Sequence, residues 1–186
     1  MIPTSIQRGF TLIEVAIVLV IASLFIVAAM VFTRATDESY RTTAQSADIT
    51  FNTRRALETL SNELRHTDLT HLTITTTNPL FDLVEVQLPL KVTAGTVVWG
   101  ADGTSGWKVR YLVENGALIR RVVTATGTIA QMDRVLADGV DPSAAEGKCF
   151  SVSRTGSLLT ISVRVVGQRD GRSWARQLTT AVSLRN

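Results

Sequence analysis

Glu14 stands at the head of an apolar run, Val15 to Phe32, that is 18 residues long and contains one polar side chain, Ser23. A carboxylate there costs a few kcal/mol on insertion scales, so it reads as a functional group in need of a cationic partner. Catalytic chemistry has little to work with elsewhere. The only imidazoles are His66 and His71, no serine sits in a nucleophile-elbow pattern, and no phosphate-binding glycine loop occurs. His66, Asp68 and His71 could be drawn as a transition-metal cluster, but their spacing does not fix three ligands on one helix face, and they read as solvated helix-end residues. These observations point to a non-enzymatic chain with no cofactor.

The element that must position Glu14 is a helix. The apolar run has the length and composition of a segment that enters or spans a bilayer. From Phe10 to Leu64 there is no proline or glycine, so one helix of about 55 residues, roughly 80 Å at 1.5 Å per residue, is permitted. About half of it must lie beyond the membrane. Arg8 precedes the run, whereas Arg34, Asp37 and Glu38 follow it, which predicts a cytoplasmic N-terminus and an exported globular part. A cleaved secretory signal is the competing reading. The run is too long for it, Glu14 interrupts its start, and no convincing cleavage site follows. The stretch Thr33 to Thr53 is rich in Thr, Ser and Asp and has weak helix propensity. At 100° per residue Tyr40, Ala44, Ala47 and Phe51 form one stripe, and Ile49, Leu57, Leu60 and Leu64 another nearly opposite. The later stripe is expected to pack on the chain's own domain, leaving the earlier one for neighbouring subunits. A domain wrapping both stripes is the alternative.

The residues Arg8-Gly9-Phe10-Thr11-Leu12-Ile13-Glu14 resemble the processing motif of type IV prepilins and of type II secretion pseudopilins. The resemblance implies cleavage between Gly9 and Phe10 by a prepilin peptidase, N-methylation of Phe10, and a role for Glu14 in subunit assembly. Such a cut would leave an α-amino group at the head of a lipid-compatible helix. Glu14, one turn further on, could compensate its own N-terminus or that of a staggered neighbour, since an ion pair in hydrocarbon is strongly preferred to two separated charges. Many major pilins have a helix-kinking proline in this half and a C-terminal disulfide. Here there is no such proline, and Cys149 is the single cysteine. Cys149 reads as a small buried hydrophobe. The segment Arg54 to Arg65 and the ending Leu178 to Asn186 resemble minor pseudopilins of the J type, with W-type minor pilins a close second.

Beyond Arg65 the period changes to alternation. Leu72 and Ile74 alternate with Thr; Leu83 to Val92 reads as one strand with Val84, Val86, Leu88 and Leu90 on one face and Pro89 marking an edge or strand end. Further strands are predicted at Thr96 to Trp99, Trp107 to Val113, Leu118 to Val123, Cys149 to Ser153, Leu158 to Val166 and Trp174 to Leu184. Asn115-Gly116 and Asp170-Gly171 read as hairpin turns, and Ala101 to Gly106 and Asp141 to Lys148 as loops. Short turns between successive strands imply an antiparallel sheet system clasping the helix end. Charge is divided unevenly. Phe10 to Leu90 holds five Arg against nine acids, and Lys91 to Asn186 holds 13 Lys or Arg against seven acids. The basic half could meet DNA or lipid headgroups, but basic strand faces are common without that role, and a nucleic-acid partner is not expected. Some pseudopilins bind calcium; Asp138, Asp141 and Glu146 are the hard-oxygen candidates here, without EF-hand spacing, and Asp138-Gly139 reads better as a turn into Val140.

The expected layout is α+β. A leader (1–9) is removed. A transmembrane and assembly half (10–32) and a periplasmic half (33–66) make up the long helix, which packs on an antiparallel β-sheet head (67–186). The function expected is a minor pseudopilin at the tip of a periplasmic pseudopilus, supporting protein export. Its expected partners are prepilin peptidase, other minor and major (pseudo)pilins and an inner-membrane assembly platform. A type IV pilus minor pilin and a signal-anchored periplasmic binding domain are the alternatives. The location expected is the bacterial inner membrane, single-pass, with the head periplasmic.

Overall fold

A computed structural model describes residues 11–141, 147–169 and 172–184. The chain divides into two compact units, Met1–Ala44 and Gln45–Asn186. A single helix, α1 (Leu12–Arg65), contributes to both. The architecture is α+β, a long helix whose later part packs on antiparallel sheets.

Every residue from Thr11 to Gln45 is exposed. The polar side chains in this stretch bond back onto the helix. Ser23 Oγ donates to Val20 O (2.7 Å), Thr33 Oγ1 to Ala29 O (2.8 Å), Thr36 Oγ1 to Phe32 O (2.9 Å) and Thr43 Oγ1 to Ser39 O (2.9 Å). Such bonds satisfy the hydroxyls without a partner outside the helix.

In the second unit the strands are β1 (Leu72–Thr75), β2 (Leu83–Val86), β3 (Leu88–Thr93), β4 (Thr96–Ala101), β5 (Thr104–Ser105), β6 (Lys108–Glu114), β7 (Ala117–Val123), β8 (Arg134–Asp138), β9 (Phe150–Thr155), β10 (Leu158–Arg169) and β11 (Arg172–Ser183). They form a five-stranded sheet in the order β1-β2-β6-β7-β8 and two three-stranded sheets, β11-β10-β9 and β3-β4-β5, with antiparallel pairing throughout. Isolated bridges Phe81↔Phe150 and Val140↔Val165 join the first two sheets. Alternation supplies the inner faces: Val109, Tyr111 and Val113 on β6, and Leu159, Ile161, Val163 and Val165 on β10, are buried. Against them α1 buries Thr53, Ala56, Leu57, Leu60, Ser61 and Leu64. The later stripe therefore packs on the head as expected, whereas Tyr40 and Phe51 of the earlier stripe are 73% and 66% exposed.

Most predicted strands are present, with two corrections. The run Leu83 to Val92 is not one strand. It breaks at Gln87, and its halves enter different sheets, because Gln87 N donates to His71 O (3.0 Å) while Thr67 Oγ1 donates to Gln87 O. Ala101 to Gly106 is not only a loop, since Thr104–Ser105 pairs with β4. The strand β8 went unpredicted: it is short, and its pairing with β7 shifts register at Leu118/Ile119. Pro89 lies on the outer strand of its sheet at a bulge, as edge chemistry requires. Asn115 (φ 52°) and Gly116 (φ 72°) both sit left-handed between β6 and β7, the conformation of a two-residue hairpin turn. Asp170 and Gly171 lie outside the described residues. At Gly167 a Cβ would meet the Trp174 indole at 2.3 Å, so the cross-strand ring occupies the space a side chain would need.

Because Leu60 is fully buried and Tyr40 is not, Leu60→Ala should destabilise the head by about 2 to 5 kcal/mol and Tyr40→Ala by less than about 0.5. Urea unfolding of the full chain in detergent, followed by tryptophan fluorescence, is the measurement.

Candidate functional site

Gly9 and Phe10, the predicted processing pair, lie outside the described residues. The description begins at Thr11, which caps α1. Glu14 N donates to Thr11 Oγ1 (3.3 Å), while Glu14 Oε2 accepts from Thr11 N (2.8 Å) and Thr11 Oγ1 (3.0 Å). This reciprocal pattern is a capping box. Its signature, Thr11-Leu12-Ile13-Glu14, is legible in the sequence as S/T-x-x-E, a second role for the acid that the partner argument overlooks. The box holds the carboxylate back toward the helix start, where the helix dipole also favours it. Among the described residues Glu14 Oε1 accepts no hydrogen bond. Behind this acid the exposed helix from Leu12 is apolar and long enough to cross a membrane.

The other end of α1 is fastened to the head by a charged network. Tyr111 Oη donates to Glu63 Oε2, Arg120 Nε donates to Glu63 Oε1 (3.0 Å), and Arg120 Nη2 donates to Asp102 Oδ1 (3.0 Å). Burial, followed by the Glu63 charge, pushes the Tyr111 phenol well above its ordinary range, so it stays a donor. Burial opposes the Arg120 charge, but Asp102 and Glu63 outweigh it and hold the guanidinium protonated. Asp82 is buried as well; its Oδ2 accepts from Val152 N (2.8 Å) and its Oδ1 from Lys148 Nζ.

The remaining candidates are placed as follows. His66 is exposed, but Asp68 and His71 are half-buried rather than solvated, which corrects the sequence reading. Asp68 Oδ1 caps the short 3₁₀ turn Leu69–His71, accepting from Thr70 N (3.0 Å) and His71 N (2.9 Å) and lying 2.7 Å from His71 Nδ1. Partial burial pushes the Asp68 carboxyl up, but the bonds from His71 and Thr70 prevail and hold it below its usual range. The His71 ring stacks on Trp99 with centroids 4.1 Å apart. Of the calcium candidates, Asp138 is exposed at the end of β8, Asp141 Oδ2 lies 3.2 Å from Arg164 Nη2, and Glu146 is outside the described residues. Among the described residues no three His, Cys, Asp or Glu side chains come together as a metal group. Cys149 is buried, its Sγ 3.0 Å from Leu80 O, and burial raises its thiol pKa, as expected of a packing residue. Much of the basic surplus is engaged with carboxylates. Lys108 and Arg110 meet Glu85; Arg121 meets Glu114 and Asp133; Lys148 meets Asp82.

Residues 4–30 match the prokaryotic N-terminal methylation motif. No curated protein and no solved structure matches the chain. The matched segment contains Gly9, Phe10, Thr11 and Glu14 together with most of the apolar run. It is a prepilin-type signature, found on structural subunits rather than enzymes, and it implies processing by a prepilin peptidase and assembly with other pilins. With the apolar helix it makes the N-terminal segment a pilin-like, single-pass membrane anchor.

The phenol of Tyr111 has a raised folded-state pKa, so its contribution is complete below the unfolded value of about 10 and is lost as pH climbs through the folded value. Tyr111→Phe should lower stability at pH 8 by about 1 kcal/mol and flatten the alkaline loss seen in the parent above about pH 10. Urea midpoints of both proteins between pH 8 and 11.5 provide the comparison.

Proposed function

We propose that this chain is a non-enzymatic minor pseudopilin of a type II secretion system, cleaved between Gly9 and Phe10, methylated on Phe10, and built through α1 into the tip of a periplasmic filament that supports protein export. The observation that carries the reading is the match over residues 4–30 to the N-terminal methylation motif, with Glu14 at the head of an exposed apolar helix. The subtype rests on the resemblance of Arg54 to Arg65 and Leu178 to Asn186 to J-type pseudopilins. A minor pilin of a type IV pilus shares these features and differs in the machine it joins. Inner-membrane residence with the head in the periplasm follows from Arg8 preceding the apolar run.

The capping box gives Glu14 a defined part in this reading. Its Oε2 is engaged by Thr11, one residue after the new N-terminus, while Oε1 remains to meet an ammonium. A neighbouring subunit displaced along the filament axis can bring its N-terminal amine to that oxygen without unwinding the first turn. Pairing then removes two isolated charges from an apolar surround, a preference of several kcal/mol.

Mass spectrometry of the mature protein should find methylated Phe10 at the N-terminus; an intact leader or a cut near Ala35 would overturn the filament reading. Glu14→Ala should insert normally but enter filaments at least tenfold less well, measured as sheared-filament yield against membrane-fraction abundance. Glu14→Gln, which retains the capping acceptor but lacks the charge, should share the defect if charge pairing recruits the subunit, and should be near normal if capping alone matters.

A further inference from the structure

Among the described residues the sheets of the head end in six edge strands, and five of them carry features that discourage pairing with another chain. β1 has four residues and β5 two; β3 carries Pro89 and a bulge; β8 has five residues and a register shift; β9 has six, and its first residue, Phe150, is bridged to Phe81. β11 is different. It has 12 residues, pairs with β10 in an unbroken register from Arg172 to Ser183, and contains no proline. Its other edge has no strand partner among the described residues.

That edge opens on a groove of about 670 Å³ whose far wall is α1, from Arg54 to Arg65. Four consecutive β11 residues, Gln177 to Thr180, line it. Consecutive strand residues point to opposite sheet faces, so a cavity that touches all four is reached from the strand's edge, where main-chain N–H and C=O groups are presented. Ser61 lines the groove as well. Its residue is 7% exposed, and its hydroxyl has no hydrogen-bond partner among the described residues, whereas Thr50, Thr53 and Thr59 on the same helix all bond back to it. Arg54 and Arg65 stand at the two ends, 11 residues and therefore about 16 Å apart along the helix, with Glu58 between them. Among the described residues none of these three forms an ion pair, while the head cations on β6 and β7 are matched to acids.

We infer that the groove between α1 and β11 receives an extended segment of another protein chain, added as a strand to the β11 edge, carrying carboxylates about six residues apart on one face to meet Arg54 and Arg65 and a neutral centre opposite Glu58. About six residues at a strand rise of about 3.3 Å span about 20 Å, which long arginine side chains reach from positions about 16 Å apart, and the even separation keeps both carboxylates on one face. Main-chain pairing would give such a segment its hold, and the flanking charges its register and selectivity. The inference does not depend on processing at Gly9 or on the role of Glu14.

The test uses the full chain in detergent micelles and the peptide acetyl-Asp-Thr-Val-Thr-Val-Thr-Asp-amide carrying a fluorophore. Saturable binding read by anisotropy is expected, together with slowed amide exchange confined to residues 176–183. The double variant Arg54→Glu/Arg65→Glu should weaken binding at least tenfold, a peptide with Lys at both ends should bind at least tenfold less tightly to the parent, and the parent's affinity should fall as salt rises. Urea unfolding of the variant guards against loss of the fold; if it is unfolded, the single variant Arg65→Gln and the Lys peptide give the same comparison. Absent binding, binding indifferent to both charge reversals, or protection elsewhere than β11 would overturn the inference. So would a Gln177→Cys variant that crosslinks quantitatively to itself at β11, which would assign this edge to a second copy of the chain.

Discussion

Everything in the head is arranged about one contact, the burial of the helical stripe Ala56, Leu57, Leu60 and Leu64 beneath the two larger sheets. Neither sheet closes on itself, and each has an inner face of Val, Ile, Leu and aromatic side chains that water would otherwise reach. The helix covers the seam between them, and the bridges Phe81↔Phe150 and Val140↔Val165 draw the sheets around it. Removing apolar area from water at roughly 25 cal/mol per Å² makes the core that this stripe completes the main source of cohesion. The Glu63, Tyr111 and Arg120 network is subordinate to it. Polar groups that are desolvated by the packing must find one another, and their geometry fixes the helix against sliding or rotation on the sheets rather than adding much net stability.

The same helix faces two environments, and its composition changes where the environment does. Before Gln45 its surface is exposed, and up to Phe32 it is nearly all hydrocarbon; after Thr53 one side is core and the other is charged. The apolar half does not need the head in order to be helical, because a helix satisfies its interior backbone groups within the segment and the hydroxyls turn inward. The head in turn needs only the last third of the helix. This division lets an anchor of fixed design be joined to a head that can vary.

How much of this was legible from the amino-acid order depends on how local the determinant is. The helix, the stripe it packs on the head, the Asn115-Gly116 turn and most strands were readable, because periodicity and turn chemistry act over a few residues. Glu14 was readable as an anomaly, yet its capping partner was missed although Thr11 stands three residues before it. Gln87 was beyond reach: what breaks the strand there is a bond to His71 and another to Thr67, both distant in sequence. β8 was missed because five residues with a register shift give almost no periodic signal. His71 looked like an exposed helix-end imidazole until the fold brought Trp99 against its ring. The basic half looked like a patch because ion pairing across strands cannot be seen in a count of charges.

The inward-turned hydroxyls of α1 carry a consequence of their own. Ser23, the single polar side chain between Val15 and Phe32, completes its hydrogen bond on Val20 O, so the outside of that stretch of the rod offers neighbours shape and methyl groups but no unsatisfied side-chain donor. Such a surface is indifferent to whether acyl chains or another helix of the same kind lies against it. Moving it from one to the other exchanges dispersion contacts of similar strength and breaks no polar bond. A rod with that property can leave a bilayer sideways into a protein bundle, and return, at a cost set almost entirely by its one charged turn.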